Sequence, residues 1–286
     1  MVENYVIADL GICMEFPWIR NISEGFEKFL GEGEIEQKAW QIYYEEKDVL
    51  PDVKGKKVYE NPGFQVFMEE NGKCYRRFHD YRTGYQPYAM MQMDFGKREV
   101  LVEYLPSGVQ HFGNSRNDFF HIGWENILIR ENRMIFHAAC VDTPFGGILF
   151  SGPSGVGKST QGDLWCKYQQ AKLINGDRPI LFKMEDGWRA YGSPYAGSSK
   201  SYVNEKCKIR AIVMLKQAED CYLRRLGKAE AFRKIYSQIT INNWDREFVL
   251  NVYDLVSELI CDVPVYEYFC TPNQAAVDFL AAELGR

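Results

Sequence analysis

The sequence predicts an α/β fold with a mixed sheet, preceded by a β-rich N-terminal region, and three observations predict it. Gly152-Pro153-Ser154-Gly155-Val156-Gly157-Lys158-Ser159 reads G-x-x-x-x-G-K-S directly after the apolar run 146–150, the order of strand, glycine turn and helix. The first third of the chain is rich in short segments that alternate apolar and polar residues, the period of half-buried strands. Near the C-terminus, Ala276, Phe279 and Leu280 recur at the spacing of one helical face.

In chain order, residues 5–15, 65–69, 73–81, 88–95 and 99–105 are expected strands, with Asn71-Gly72 and Gly96-Lys97 as hairpin turns. Residues 22–30 and 35–42 read as short helices or loops. Over 117–129, Trp124, Ile127 and Leu128 fit one face of a helix. Two buried strands follow at 134–142 and 146–150, joined by Thr143-Pro144-Phe145. Beyond the glycine turn come a helix to about residue 168 and a strand at 172–175 that leads to Asp177. Strands at 180–183 and 188–191 flank Asp186-Gly187, ahead of a Gly/Ser/Pro-rich loop at 192–201 and a strand at 209–215. Helices at 228–239 and 245–260, a strand at 265–270 and a helix at 273–284 complete the chain. No internal repeat or low-complexity linker interrupts it. The expected division is a β-rich region over 1–130, serving partner recognition or an oligomer contact, and an α/β domain over 131–286.

The 286 residues, 46% hydrophobic and 26% charged, are enough for one large or two modest cores. A formal charge of −5 gives no general field for nucleic acid or an anionic membrane. The eight cysteines show no C-x-x-C pair, the usage of reduced thiols in a cytoplasmic protein without a zinc site. No run approaches the roughly twenty apolar residues of a membrane span.

The chemistry of the glycine segment is specific. Gly152, Gly155 and Gly157 let the backbone curl until successive N–H groups face phosphate oxygens, with Pro153, Ser154 and Val156 completing the loop. Lys158 would reach the β- and γ-phosphates, Ser159 would offer a hydroxyl to Mg²⁺, and Thr160 continues the helix. ATP and Mg²⁺ are therefore the expected ligands. Asp177, at the end of a short apolar strand, suits the second metal anchor, or simply caps a turn. His137, on the strand before the loop, either faces the γ-phosphate or is a hydrogen-bonded core histidine. Trp188 and Tyr191 either stack on a base or pack in the core. His79, His111 and His121 share no spacing that implies a metal.

Phe136-His137-Ala138-Ala139, the stretch from Gly147 to Thr160, and Leu173-Ile174-Asn175-Gly176-Asp177 together resemble the HPr kinase/phosphorylase-like branch of the phosphoenolpyruvate-carboxykinase-type P-loop fold. Tyr191-Gly192-Ser193-Pro194, residues 211–215 and Pro264-Val265-Tyr266-Glu267 extend the resemblance weakly. It implies an α/β P-loop nucleotide-binding domain with a mixed sheet, and an ATP-dependent kinase acting on a hydroxyl of a protein, peptide or small metabolite. It also implies catalytic roles for His137, Lys158 and Asp177, with Ser159 and Asp177 on the metal. One departure stands out, because that family carries two adjacent aspartates where this chain has Gly176-Asp177. Gly176 cannot accept a proton, which leaves open an ATP-binding regulatory module that transfers nothing.

Overall fold

A computed structural model of the chain describes residues 1–17, 23–31, 39–112 and 120–285. The described residues divide into two compact units, Met1–Trp124 and Glu125–Arg286.

The first unit is built on eight strands: β1 (Val2–Ile7), β2 (Leu10–Glu15), β3 (Trp40–Glu46), β4 (Lys56–Glu60), β5 (Phe64–Met68), β6 (Cys74–Asp80), β7 (Gln86–Asp94) and β8 (Glu99–Tyr104), with a single helical turn α1 (Glu24–Glu27). Their order in the sheet is β1-β2-β3-β8-β7-β6-β5-β4. Strand β3 runs parallel to β2 and β8, and every other pair is antiparallel. At the expected turns, the side chain of Asn71 accepts from Lys73 N, and that of Asp94 accepts from Gly96 N and Lys97 N. Such side-chain-to-backbone bonds are what bend the chain in these turns.

The segment expected as one strand over 5–15 is two. Ala8 and Asp9 lie at φ +51° and +59° between β1 and β2, the backbone of a two-residue hairpin turn that usually takes Asn-Gly. Residues 40–42, expected as helix or loop, begin β3; residues 35–38 lie outside the described residues. So do residues 117–119 of the expected helix, of which residues 124–129 fall in α2 (Trp124–Arg130).

The second unit holds β9 (Arg133–Ile135), β10 (Ala138–Thr143), β11 (Gly146–Ser151), β12 (Lys172–Asn175), β13 (Ile180–Met184), β14 (Gly187–Tyr191), β15 (Lys206–Gln217), β16 (Tyr222–Arg225) and β17 (Val265–Cys270). Its helices are α3 (Lys158–Gln169), α4 (Lys228–Tyr236), α5 (Arg246–Asp262) and α6 (Gln274–Leu284). Strand order is β12-β10-β11-β15-β14-β13-β9, with β17 beside β15 and β16 beside β17. The parallel pairs are β11 with β15 and β15 with β17. The chain is thus a mixed α/β protein with two mixed sheets.

Alternation along the central strands explains the layering. Leu149, Ile212 and Met214 join a core with Val252, Val256 and Leu259 of α5, while Ile148, Phe150 and Val213 join another with Trp165 of α3 and Val277 and Leu280 of α6. Successive strand residues face opposite ways, so both faces of the sheet are covered by helices. Asp245 and Asn273 cap α5 and α6, their side chains accepting from first-turn N–H groups, which satisfies donors the helix itself leaves open. No helix among the described residues is long and apolar enough to cross a membrane.

Candidate functional site

Strand β11 ends at Ser151, and the chain then turns through three glycines at positive φ: Gly152 (+142°), Gly155 (+78°) and Gly157 (+108°). Any side chain is disfavoured in that backbone. Gly157 precedes α3 without a side-chain cap, so the first N–H groups of the helix have neither an intrahelical acceptor nor a capping side chain. Pro153, Ser154 and Gly155 are exposed, as are Ser159 and Thr160 in the first turn of α3. Lys158 is buried, and its ammonium donates to the carbonyls of Gly152 and Pro153, each at 3.1 Å. Burial pulls its pKa below the usual lysine value, against the attraction of Asp177.

The strand expected over 134–142 breaks at residues 136–137. Strand β9 pairs with β13, whereas β10 pairs with β11 and β12. Across the break, Phe136 N donates to Pro179 O and Ala138 N to Asp177 O. The chain therefore runs alongside Asp177-Arg178-Pro179, and His137 emerges at the crossing. Its Nε2 lies 3.3 Å from Asp177 Oδ1, and Arg178 Nε lies 3.6 Å from Oδ2. Burial raises the Asp177 pKa, but the His137 hydrogen bond and the charges of Arg178, His137 and Lys158 outweigh it and hold the carboxyl below its ordinary value. Three basic side chains thus surround one carboxylate, an arrangement suited to an anion.

Asn175 organises this turn, though nothing in the sequence marked it. Its buried amide oxygen accepts from Asp177 N (2.9 Å) and Arg178 N (2.7 Å), and its Nδ2 donates to Ser193 O, Ser193 Oγ and Tyr195 O. Ser193 Oγ in turn contacts the carbonyls of Arg178 and Tyr195. Thr240 adds a bond from Arg178 Nη1 at 2.9 Å. These links join positions up to 62 residues apart, and sequence spacing gives no signal for them.

The loop 192–201 packs directly on the turn. A Cβ on Gly176 would lie 2.2 Å from Ser199 Oγ, and one on Gly197 would lie 2.9 Å from Asp177 Oδ2. Both positions are closed to larger residues unless the neighbour moves. Of the other candidates, Trp188 is buried in the core and its Nε1 donates to Asp262. Tyr191 is likewise buried, its ring beside Phe182 and Lys206. Arg210 donates to the carbonyl of Leu284, tying β15 to the end of α6.

The exposed Ser159 hydroxyl and the Asp177 carboxylate are oxygen donors of the kind Mg²⁺ prefers. Among the described residues no group of three or more His, Cys, Asp or Glu is placed to hold a metal by itself, and Mg²⁺ commonly keeps waters and substrate phosphates as ligands.

No family model and no curated protein matches the chain. Among solved structures, it has a distant similarity to the structure of the Hpr(Ser) kinase/phosphatase from Coxiella burnetii, at 11% identity and a TM-score of 0.33, over 53% of this chain and 99% of that chain.

Proposed function

We propose that residues 131–286 form a P-loop domain that binds ATP with Mg²⁺ and transfers the γ-phosphate to a hydroxyl of a protein, peptide or small metabolite. The observation that carries this reading is the folding of the G-x-x-x-x-G-K-S segment as strand, positive-φ glycine turn and helix, in a unit where Lys158, His137 and Arg178 act on one carboxylate. Backbone N–H groups of the loop and of the first turn of α3 would receive phosphate oxygens. Lys158 would exchange its carbonyl partners for the β- and γ-phosphates. Mg²⁺ held by Ser159 and Asp177 would neutralise charge on the phosphates. His137, hydrogen-bonded to Asp177, would take the acceptor's proton as the hydroxyl oxygen bonds to phosphorus and the bond to ADP breaks. Positioning and electrostatics dominate such transfers, so one carboxylate suffices. The N-terminal region, residues 1–130, would supply partner recognition or an oligomer contact, and the protein would work in the cytoplasm.

Gly176 favours a second reading, an ATP-binding regulatory module without transfer, since its place against Ser199 excludes a second carboxylate. Incubation with γ-labelled ATP, Mg²⁺ and candidate carrier proteins, peptides and hydroxyl metabolites separates the two. Label on an acceptor, lost in Lys158→Ala, supports the kinase. Tight ATP binding with no transfer to any candidate moves the reading to the regulatory module. Absent ATP binding overturns both.

A further inference from the structure

The N-terminal unit contains a cavity of about 690 Å³, within the roughly 300–1,000 Å³ of small-molecule sites. Three of the chain's four histidines line it, His79, His111 and His121, together with the rings of Phe64, Phe78 and Tyr88.

Strand β6 is distorted to build this wall. Phe78, His79 and Asp80 are consecutive and all border the cavity, whereas a regular strand would turn His79 to the other face. The β6–β7 ladder shifts register between Phe78, opposite Ala89, and His79, opposite Pro87. Such irregularities re-aim side chains and are frequent beside binding sites.

The polar groups are incompletely matched. His121 is 2% exposed, and its Nε2 lies 2.8 Å from Tyr88 OH. Burial raises the Tyr88 pKa far above the ordinary phenol, so the hydroxyl stays protonated, and which partner donates follows the His121 tautomer. His121 Nδ1 is buried with no hydrogen-bond partner among the described residues, a costly state for a polar atom. The imidazole of His79 makes no hydrogen bond among the described residues.

Charge is balanced. Asp80 accepts from Arg82 Nε and Nη2 at 3.0 and 3.2 Å, and His111 Nε2 lies 3.3 Å from its Oδ2. Burial pulls His79 and His111 below the ordinary imidazole value, leaving both neutral at neutral pH. Among the described lining residues, Asp80 and Arg82 offset one another, which leaves no excess charge there to hold a phosphate or a metal ion.

We propose that this cavity binds an uncharged planar ring with a polar edge, the chemistry shared by a phenol side chain of a peptide and a free heteroaromatic amide. The ring would lie against Phe64, Phe78 and Tyr88, where offset or edge-on aromatic contacts are favourable. Its edge would meet the imidazole of His79. Nothing in this assignment depends on the nucleotide reading of the C-terminal unit.

With only four histidines, imidazole ¹⁵N–¹H NMR of the full chain reads the site directly. N-acetyl-tyrosinamide represents the peptide source, nicotinamide the free heteroaromatic, and cyclohexanol a non-planar control. Saturable shifts of the His79, His111 and His121 signals with either planar probe are expected, with His137 unmoved and cyclohexanol silent. The probe that binds more tightly identifies the source. His79→Ala, which removes no hydrogen bond from the fold, should weaken binding at least fivefold, about 1 kcal/mol by the affinity relation. Silence with both planar probes up to their solubility limits, equal shifts with cyclohexanol, or unaltered affinity in His79→Ala overturns the proposal.

Discussion

The two units contain the same trio of side chains in nearly the same geometry. In one, Asp177 lies 3.3 Å from His137 Nε2 and 3.6 Å from Arg178 Nε; in the other, Asp80 lies 3.3 Å from His111 Nε2 and 3.0 Å from Arg82 Nε. What differs is the surroundings. Lys158 and a turn of positive-φ glycines accompany the first trio, and aromatic rings with uncharged imidazoles accompany the second. A histidine, a carboxylate and an arginine therefore specify no chemistry alone. The first setting has cationic excess for an anion, and the second has balanced charge and flat apolar walls.

The strongest way to break this comparison is Asp177→Asn. If the carboxylate anchors the metal, turnover should fall by roughly 10²-fold or more, the scale of losing one transition-state electrostatic contact, with ATP affinity largely kept; the matching Asp80→Asn should leave turnover near wild type. Steady-state kinetics on both variants checks the contrast, and equal losses would erase it. Lys158→Ala should weaken ATP binding by about 10–100-fold, since charge-assisted hydrogen bonds are worth roughly 1.5–3 kcal/mol, as measured by calorimetric titration.

Smaller effects sharpen the contrast. Asn175→Ala strips partners from Asp177 N and Arg178 N and should cost about 1–3 kcal/mol in urea unfolding. Gly157→Ala meets no atom within 4 Å, so the expected loss of about 1–2 kcal/mol is left-handed backbone strain alone. The smallest effect concerns pH. Because the folded pKa of Asp177 is lowered, its ionised form adds stability that is fully present above the unfolded value of about 3.9 and is lost as pH falls through the lower folded value. Carboxyl NMR of wild type against Asp177→Asn should show this group still mostly ionised at pH 3.8, where an ordinary aspartate is half protonated.

Legibility followed the range of the forces. Helices expected at 228–239, 245–260 and 273–284 are found at Lys228–Tyr236, Arg246–Asp262 and Gln274–Leu284, because apolar period and capping side chains are local. The β1–β2 turn escaped notice because Ala8-Asp9 contains no glycine, and its left-handed backbone follows from the pairing of its flanking strands. Strand β4, rich in lysine and exposed along most of its length, carries no alternation to read. At the candidate site, the glycine turn announces itself in eight consecutive residues. The 3.3 Å approach of His137 to Asp177 depends instead on a break between β9 and β10 that neither segment encodes by itself. The cavity histidines were equally invisible, since a register shift in β6 brings one of them to the wall.

The contact between Gly176 and Ser199 sets a rule for how this chain can vary over evolutionary time. A side chain at position 176 and the present serine at 199 exclude one another, so the two positions should drift as a linked pair. Gly176→Asp alone should be poorly tolerated, and Ser199→Gly should rescue it, giving strong positive epistasis in a double-mutant cycle. A lineage could gain or lose an acidic residue here only by crossing that coupled step, which makes the glycine a historical commitment held in place by a neighbour twenty-three residues away.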